Sequence, residues 1–445
     1  EASEQTITFN STEERFAFFK SLPKIELHAH LNGCIRESTL LELAKERNVI
    51  LSPTIHDIQA HCHASETEIE NGATTTSRVN HKRRSLTECF EIFGEIGQCI
   101  TDLVALRRIT REALEDFAMS GVAYLELRST PKVLWVDASV SNSTTSGQKK
   151  QKSTKREYVE TILYVMKQFQ KEEMATYFLT KNKDVARLPL VTRLIVSINR
   201  ADPKEYAMDH VNLAIQMKKE GHEDIVGLDL SGNPMKGKWK DFEAAFELAR
   251  QSGLGTSIHC GEIPCEEDVS VADDDDNNDR PKPSLLKFAL EDTADILSFR
   301  PDRLGHALLL TDDMYNALES DEGEDGDRRI PIECCPTSNV MTLELSSHYQ
   351  GDLVSGLRTH PRLQKWLDGN YPISFNTDDP GIFNTNSTEE LTLVAEAFCK
   401  TTKNDPCWEI AAIVMASIAH SFESHGFKDD LRRKIVQHLE ARYGI

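Results

Sequence analysis

No C-x-x-C pair occurs among the ten cysteines of this 445-residue chain, and Cys334 and Cys335 are adjacent. Such spacing suits neither a zinc ribbon nor a disulfide framework, and dispersed thiols point to a reducing, cytoplasmic setting. No apolar run reaches membrane-spanning length, and the polar opening Glu1-Ala-Ser-Glu-Gln lacks signal character. Positive charge is also short. There are 51 Lys and Arg against 72 Asp and Glu, a formal net charge of −21. A nucleic-acid polymer would be repelled, whereas a small anion held by a few local donors is compatible with this balance. No Gly-x-Gly-x-x-Gly follows the first strand-like run, which argues against an open, doubly wound dinucleotide-binding sheet. Internal repeats are not apparent beyond a strand–helix alternation.

That alternation is the main feature present. Strand-like runs occupy 22–33, 122–128, 194–199, 225–230, 255–260, 302–306, 330–335 and 371–377. Helical patterns fall at 11–21, 38–44, 86–120 in two pieces, 203–220, 242–250 and 285–294. Eight strands alternating with helices predict an α/β fold, a (β/α)8 TIM barrel with extra helices, as a single domain over 1–445. Its hydrophobic content of 39% suffices for a large core. Insertions are expected near 52–84, 137–157, 266–284 and 319–329. The second is rich in Ser, Thr, Gln and Lys, and acidic runs at 273–279 and 321–327 fall in the last two. Asp273 to Asp276 lacks the one-three-five spacing of a calcium loop. His56, His61, His63 and Cys62 lie in the first insertion and read as surface residues.

In such a barrel the C-terminal strand ends converge on one site. The first run alternates Ile25, Leu27, Ala29 and Leu31 with Glu26, His28 and His30, so the two imidazoles share a face. Alone, that pair reads more readily as polar residues on the solvated face of an edge strand than as metal ligands. The other ends supply Arg128-Ser129-Thr130, Asn199, Gly232-Asn233, His259-Cys260-Gly261-Glu262, His306, residues 335–339 and Asp378-Asp379. Metal-competent and polar side chains thus gather where the fold would bring them together.

Five of these segments, His28-Ala-His30-Leu-Asn-Gly33, Ser231-Gly-Asn-Pro234, His259-Cys-Gly-Glu262, Arg303-Leu-Gly-His306 and Asn376-Thr-Asp-Asp-Pro380, occur in an order that resembles the adenosine/AMP deaminase family. The resemblance runs from about Leu22 to Phe383. It implies one Zn²⁺ per chain on His28, His30, His259 and Asp378, an N/O donor set that leaves a position for water. It further implies Glu262 as proton donor to purine N1 and His306 as the residue that orients the attacking oxygen. Asp379 would accept from that oxygen or bond purine N7, and the Gly232 N–H would donate to N3. The residue-level alternatives are a buried histidine at 306, an exposed loop carboxylate at 262 and a turn at Asp378-Asp379-Pro380.

Asn32, where adenosine deaminases carry Asp, and the run Leu127-Arg128-Ser129-Thr130-Pro131 resemble the adenosine deaminase-like branch acting on N6-methyl-AMP. A neutral side chain at 32 removes repulsion against a 5′-phosphate. Ser129, Thr130, Pro131 and Lys132 would form an anion cradle, or simply a strand-ending turn set by Pro131. His30, Asn32, Asn199, Gly232 and Asp379 complete the expected substrate contacts. Two departures stand out. No His follows Glu88-Cys89-Phe90 to hold phosphate, leaving His81, Lys82, Arg83 or Arg84 to compensate, and Lys132 gives a point charge where an Arg fork is commoner. The expected activity is zinc-dependent hydrolysis of N6-methyl-AMP and related N6-substituted AMP to IMP and an amine. Adenosine deamination is the alternative, and a catalytically silent barrel a more distant one. Expected partners are a purine nucleotide or nucleoside, with no membrane and a monomeric state.

Overall fold

The computed structural model describes residues 8–9, 11–52, 85–137, 151–180, 187–265, 283–320, 322–323, 326–398 and 406–443. Most of the expected insertions, the 56–63 histidine cluster, residues 81–84 and the acidic run 273–279 lie outside them. Of the insertion expected near 319–329, an antiparallel ribbon pairs Glu322–Gly323 with Gly326–Asp327.

Strands that are apolar on both faces need cover on both, which parallel strands joined by helices provide. The eight are β1 (Lys24–His30), β2 (Val122–Ser129), β3 (Val191–Asn199), β4 (Ile225–Ser231), β5 (Gly255–Cys260), β6 (Arg303–His306), β7 (Ile332–Cys334) and β8 (Ile373–Phe375). They form one sheet in sequence order with parallel neighbours. Every residue of β2 and β4 is buried, so neither has a solvent face. The same holds for Glu26 and His28 in β1, which removes the edge-strand alternative for the histidine pair.

Closure of this (β/α)8 barrel depends on a loop. Beyond β8, Asp378 forms a parallel bridge with Ala29 of β1. His30 N donates to Asp378 O at 3.0 Å and Asp378 N donates to His28 O at 2.9 Å. Deeper in the seam, the Asn376 carboxamide accepts from Leu27 N at 2.9 Å, a side chain standing in for a missing ladder partner.

The helical patterns hold with adjusted ends. The stretch 86–120 divides into Leu86–Cys99 and Leu103–Met119. Ser85 and Glu88 form a capping box on the first piece. Asp102 caps the second by accepting from Val104 N and Ala105 N. A 26-residue helix at Lys155–Thr180, absent from the expected elements, leads from β2 towards β3. β1 ends at His30 and the chain turns at once through a 3-10 segment, Leu31–Cys34. No described helix is long and apolar enough to cross a membrane.

Candidate active site

His28 and His30 leave β1 on its inner face and meet His259 of β5 and Asp378 beyond β8. His30 Nε2 stands 3.3 Å from His28 Nε2 and 3.1 Å from His259 Nε2. Asp378 Oδ1 lies 3.4 Å from His28 Nε2 and 3.5 Å from His30 Nε2. Donors placed 2.0–2.1 Å from a zinc ion define a tetrahedron with edges of about 3.4 Å. Four of the six edges of this set are therefore close to what such an ion requires.

The imidazoles are oriented from behind. His28 Nδ1 donates to Glu333 Oε2 at 2.7 Å, which puts the lone pair on Nε2. His259 Nδ1 lies 3.1 Å from Asp229 Oδ1, so a carboxylate stands behind this imidazole as well. Arg128 joins the two supports, donating to Asp229 Oδ1 at 2.9 Å and to Leu27 O at 2.9 Å, and pairing closely with Glu333. Ser257 Oγ also donates to Glu333 at 3.0 Å.

Charge at the site is sharply partitioned. Despite burial, Arg128 and His259 hold Asp229 well below the usual carboxylate range, and Arg128 and Arg303 do the same for Glu333. Burial would raise Asp378, but its bond to His28 and the charges of His28, His306 and His30 hold it down. Burial and neighbouring imidazoles pull His30 down to about 3 and keep it neutral. Burial and Arg128 work against protonation of His28, yet Asp378 and Glu333 lift it to about 9, so its Nε2 seeks a cation. Burial pushes Glu26 up to about 8 and also raises Glu262 and Asp379. Along the barrel axis, Asp229, Glu333 and Asp378, each held low by its partners, face the guanidiniums of Arg128 and Arg303, an acidic surplus that a cation would offset. Donor spacing and charge both fit a metal ion.

Opposite the ligand cluster sits His306, the last residue of β6, with a left-handed backbone at φ 63°. Asn339 Nδ2 lies 3.1 Å from its Nδ1, and the Asn339 Oδ1 accepts from Cys335 N. The amide is thereby oriented with Nδ2 as donor, so the imidazole proton sits on Nε2. That nitrogen lies 3.8 Å from Asp378 Oδ2 and 4.0 Å from Glu262 Oε1. His306 thus faces Asp378 and Glu262 across the mouth of the His28, His30, His259 and Asp378 cluster. Asp378 is also left-handed, at φ 60°, and Ser338 Oγ donates to its Oδ2 at 2.7 Å. Both residues hold a left-handed conformation that L side chains seldom adopt.

Asp379 is buried and its Oδ1 has no hydrogen-bond partner among the described residues. A Cβ at Gly33 would stand 1.8 Å from that oxygen, so only glycine at 33 leaves it room. Asn32, in the turn after β1, likewise has a buried Oδ1 without a partner. Gly232 follows β4 at φ 90°, and a Cβ there would meet Asn199 Oδ1 at 2.2 Å. Asn199 spends that oxygen on Ala201 N at 2.9 Å, leaving its Nδ2 for a ligand.

The anion-cradle residues are less closely gathered. Ser129 Oγ shares a hydrogen bond with Tyr158 OH at 2.8 Å. Thr130 is half-buried, Pro131 buried and Lys132 exposed at the rim. Sequence reading missed Glu333 and Asp229. The available signal was a carboxylate inside an otherwise apolar strand run.

The family model for adenosine deaminase matches residues 23–280 and 291–438, extending well past Phe383. An N6-mAMP deaminase of Arabidopsis thaliana is 31% identical over 430 residues, 93% of this chain and 96% of its own. An N6-methyl-AMP deaminase of Bos taurus is 30% identical over 432 residues, covering 96% and 97%. An Arabidopsis relative crystallised with IMP superposes with a TM-score of 0.65 at 31% identity, over 94% of this chain and 98% of the other.

Proposed function

The chain belongs to the adenosine deaminase family, and from that premise we propose that it is a zinc hydrolase converting N6-methyl-AMP and related N6-substituted AMP to IMP and the free amine. The observation that carries this reading is the meeting of His28, His30, His259 and Asp378 at near-tetrahedral spacing beside two carboxyls whose pKa burial raises. One zinc ion per chain, bound to those four residues, would lower the pKa of a water to near ~7 and so make hydroxide available at neutral pH.

The chain's own residues do the rest. Glu262, its pKa raised by burial, gives its proton to purine N1 and leaves C6 electron-poor. His306 presents its Nε2 hydrogen to the attacking oxygen and holds it on line. Asp379 receives a hydrogen bond from the oxygen or from the ring edge, and the Gly232 N–H holds N3. As the C6–O bond forms, C6 becomes tetrahedral. Loss of the C6–N6 bond, with the proton of the new C6 hydroxyl passing to the departing nitrogen, leaves the 6-oxopurine. Ser129, Thr130, Pro131 and Lys132, with neutral Asn32, make the reading a nucleotide one, as the relatives named for N6-methyl-AMP and the one crystallised with IMP support. We further place the enzyme in the cytoplasm as a monomer. Eight free, buried thiols among the described residues accord with a reducing compartment.

The test is a substrate panel of N6-methyl-AMP, AMP and adenosine, followed by ultraviolet absorbance. The methylated nucleotide should turn over fastest, chelation should abolish turnover and zinc restore it. Asn32→Asp should cost the nucleotides about tenfold more in kcat/KM than it costs adenosine, because a carboxylate would face the 5′-phosphate. Equal losses, or a wild-type preference for adenosine, would reverse the substrate assignment.

A further inference from the structure

Beneath the site, a buried chain of contacts runs down the barrel axis to a segment near the C-terminus. Arg303, the first residue of β6, is fully buried. Its Nε donates to Glu333 Oε1 at 2.5 Å, and the other Glu333 oxygen accepts from His28 Nδ1. Its Nη2 donates to Glu126 Oε2 at 2.6 Å and its Nη1 to His420 O at 2.8 Å. The guanidinium carbon sits 3.6 Å over the centre of the Phe422 ring. Glu126 then closes a loop back to the same segment, its Oε1 accepting from Phe422 N at 2.7 Å and from Tyr124 OH at 2.7 Å.

Phe422 fits because β4 and β5 leave a slot for it. A Cβ at Gly227 would stand 2.6 Å from its ring and one at Gly255 2.3 Å, so side chains at either place would expel it. The next residue is tied as well, Arg193 Nε meeting Glu423 Oε1 at 2.6 Å. The ring floors the barrel while its neighbours take up the hydrogen bonds of the deepest charged residue.

We propose that Arg303 is a positioning residue for the metal centre, held in place by the 420–423 segment and acting on His28 through Glu333. This rests on the reading of His28, His30, His259 and Asp378 as a metal site. Every polar hydrogen-bearing nitrogen of Arg303 has a fixed partner, so the guanidinium has one orientation, and Glu333 presents one oxygen to His28. A lysine at 303 keeps the charge but loses the fork. Phe422→Leu keeps an apolar plug but removes the stacked ring. In both variants Arg128 and Ser257 still hold Glu333, so the fold survives while the orientation of His28 loosens.

The experiment follows zinc leaving the full-length, zinc-loaded protein into a chromophoric chelator, for wild type, Arg303→Lys, Phe422→Leu and Asp102→Ala. The last removes a helix cap remote from the axis and serves as a control for general destabilisation. Zinc should leave Arg303→Lys and Phe422→Leu about tenfold faster than wild type, with Asp102→Ala unchanged. The kcat of the two axis variants should fall while KM stays within about twofold. Unchanged release in both axis variants, or equal acceleration in Asp102→Ala, would overturn the proposal. A wild type that holds no zinc would overturn the metal reading along with it.

Discussion

Glu262 shows how much of the chemistry rests on one side chain's surroundings. Burial and the nearby Asp378 charge raise its pKa, and its oxygen lies 4.0 Å from His306 Nε2. A carboxyl whose pKa is raised holds its proton more readily and can deliver it to a purine ring before water attacks. Glu262→Gln preserves shape and hydrogen bonding but has no proton to give. We expect kcat to fall by about 10²–10⁴ while bound zinc, measured by elemental analysis, stays at the wild-type ratio. Near-normal turnover would remove Glu262 from the mechanism. At this scale the sequence was unusually readable. His28, His30, His259, Glu262, His306, Asp378 and Asp379 all stand at or just beyond strand ends, where a barrel collects its polar residues. Glu333 and Asp229 were not read, because mid-strand positions look structural until a neighbouring strand brings a histidine against them. The left-handed backbones of His306 and Asp378 were equally hidden, since nothing local in a His or an Asp requires them.

At the scale of elements, the break between the helices Leu86–Cys99 and Leu103–Met119 depends on Asp102. Its Oδ1 accepts two backbone N–H groups and its Oδ2 pairs with Arg47 at 2.6 Å. Asp102→Ala should cost about 2–4 kcal/mol, because a cap and a buried ion pair go together. Thermal unfolding should fall by several degrees with turnover per folded molecule unchanged; an unshifted melt would count against the capping argument. The two-piece helix was visible in the sequence because its apolar seam is interrupted at the cap. The strands at 330–335 and 371–377 were read too long. Pro331 and Pro372 have no N–H for a ladder, so β7 and β8 begin only after them. The helix Lys155–Thr180 escaped because it begins within a polar stretch that reads as insertion.

For the molecule as a whole, the buried charges of the axis and the closing seam lead to one expectation. The seam between β1 and β8 is made by the backbone of Asp378 against His28 and His30, and these three residues also supply donors to the proposed ion. Removing the ion leaves excess negative charge in the barrel mouth and takes away what draws Asp378 inward. Chelation should therefore speed amide hydrogen exchange at His30 and Asp378 by about tenfold or more, while amides in the middle of β3 and β4 change little. Uniform exchange across the barrel, with or without chelator, would separate the seam from the metal.

The same seam sets a schedule for biosynthesis. Residues 28 and 378 are 350 positions apart, which a ribosome working at about 5–20 residues per second covers in roughly 20–70 s. Through that interval the first strand has one neighbour and one bare edge, a template for wrong pairing that chaperones must cover. Asp378, the last of the four proposed ligands to emerge, also seals that edge, so the proposed ion site is complete only once the barrel closes.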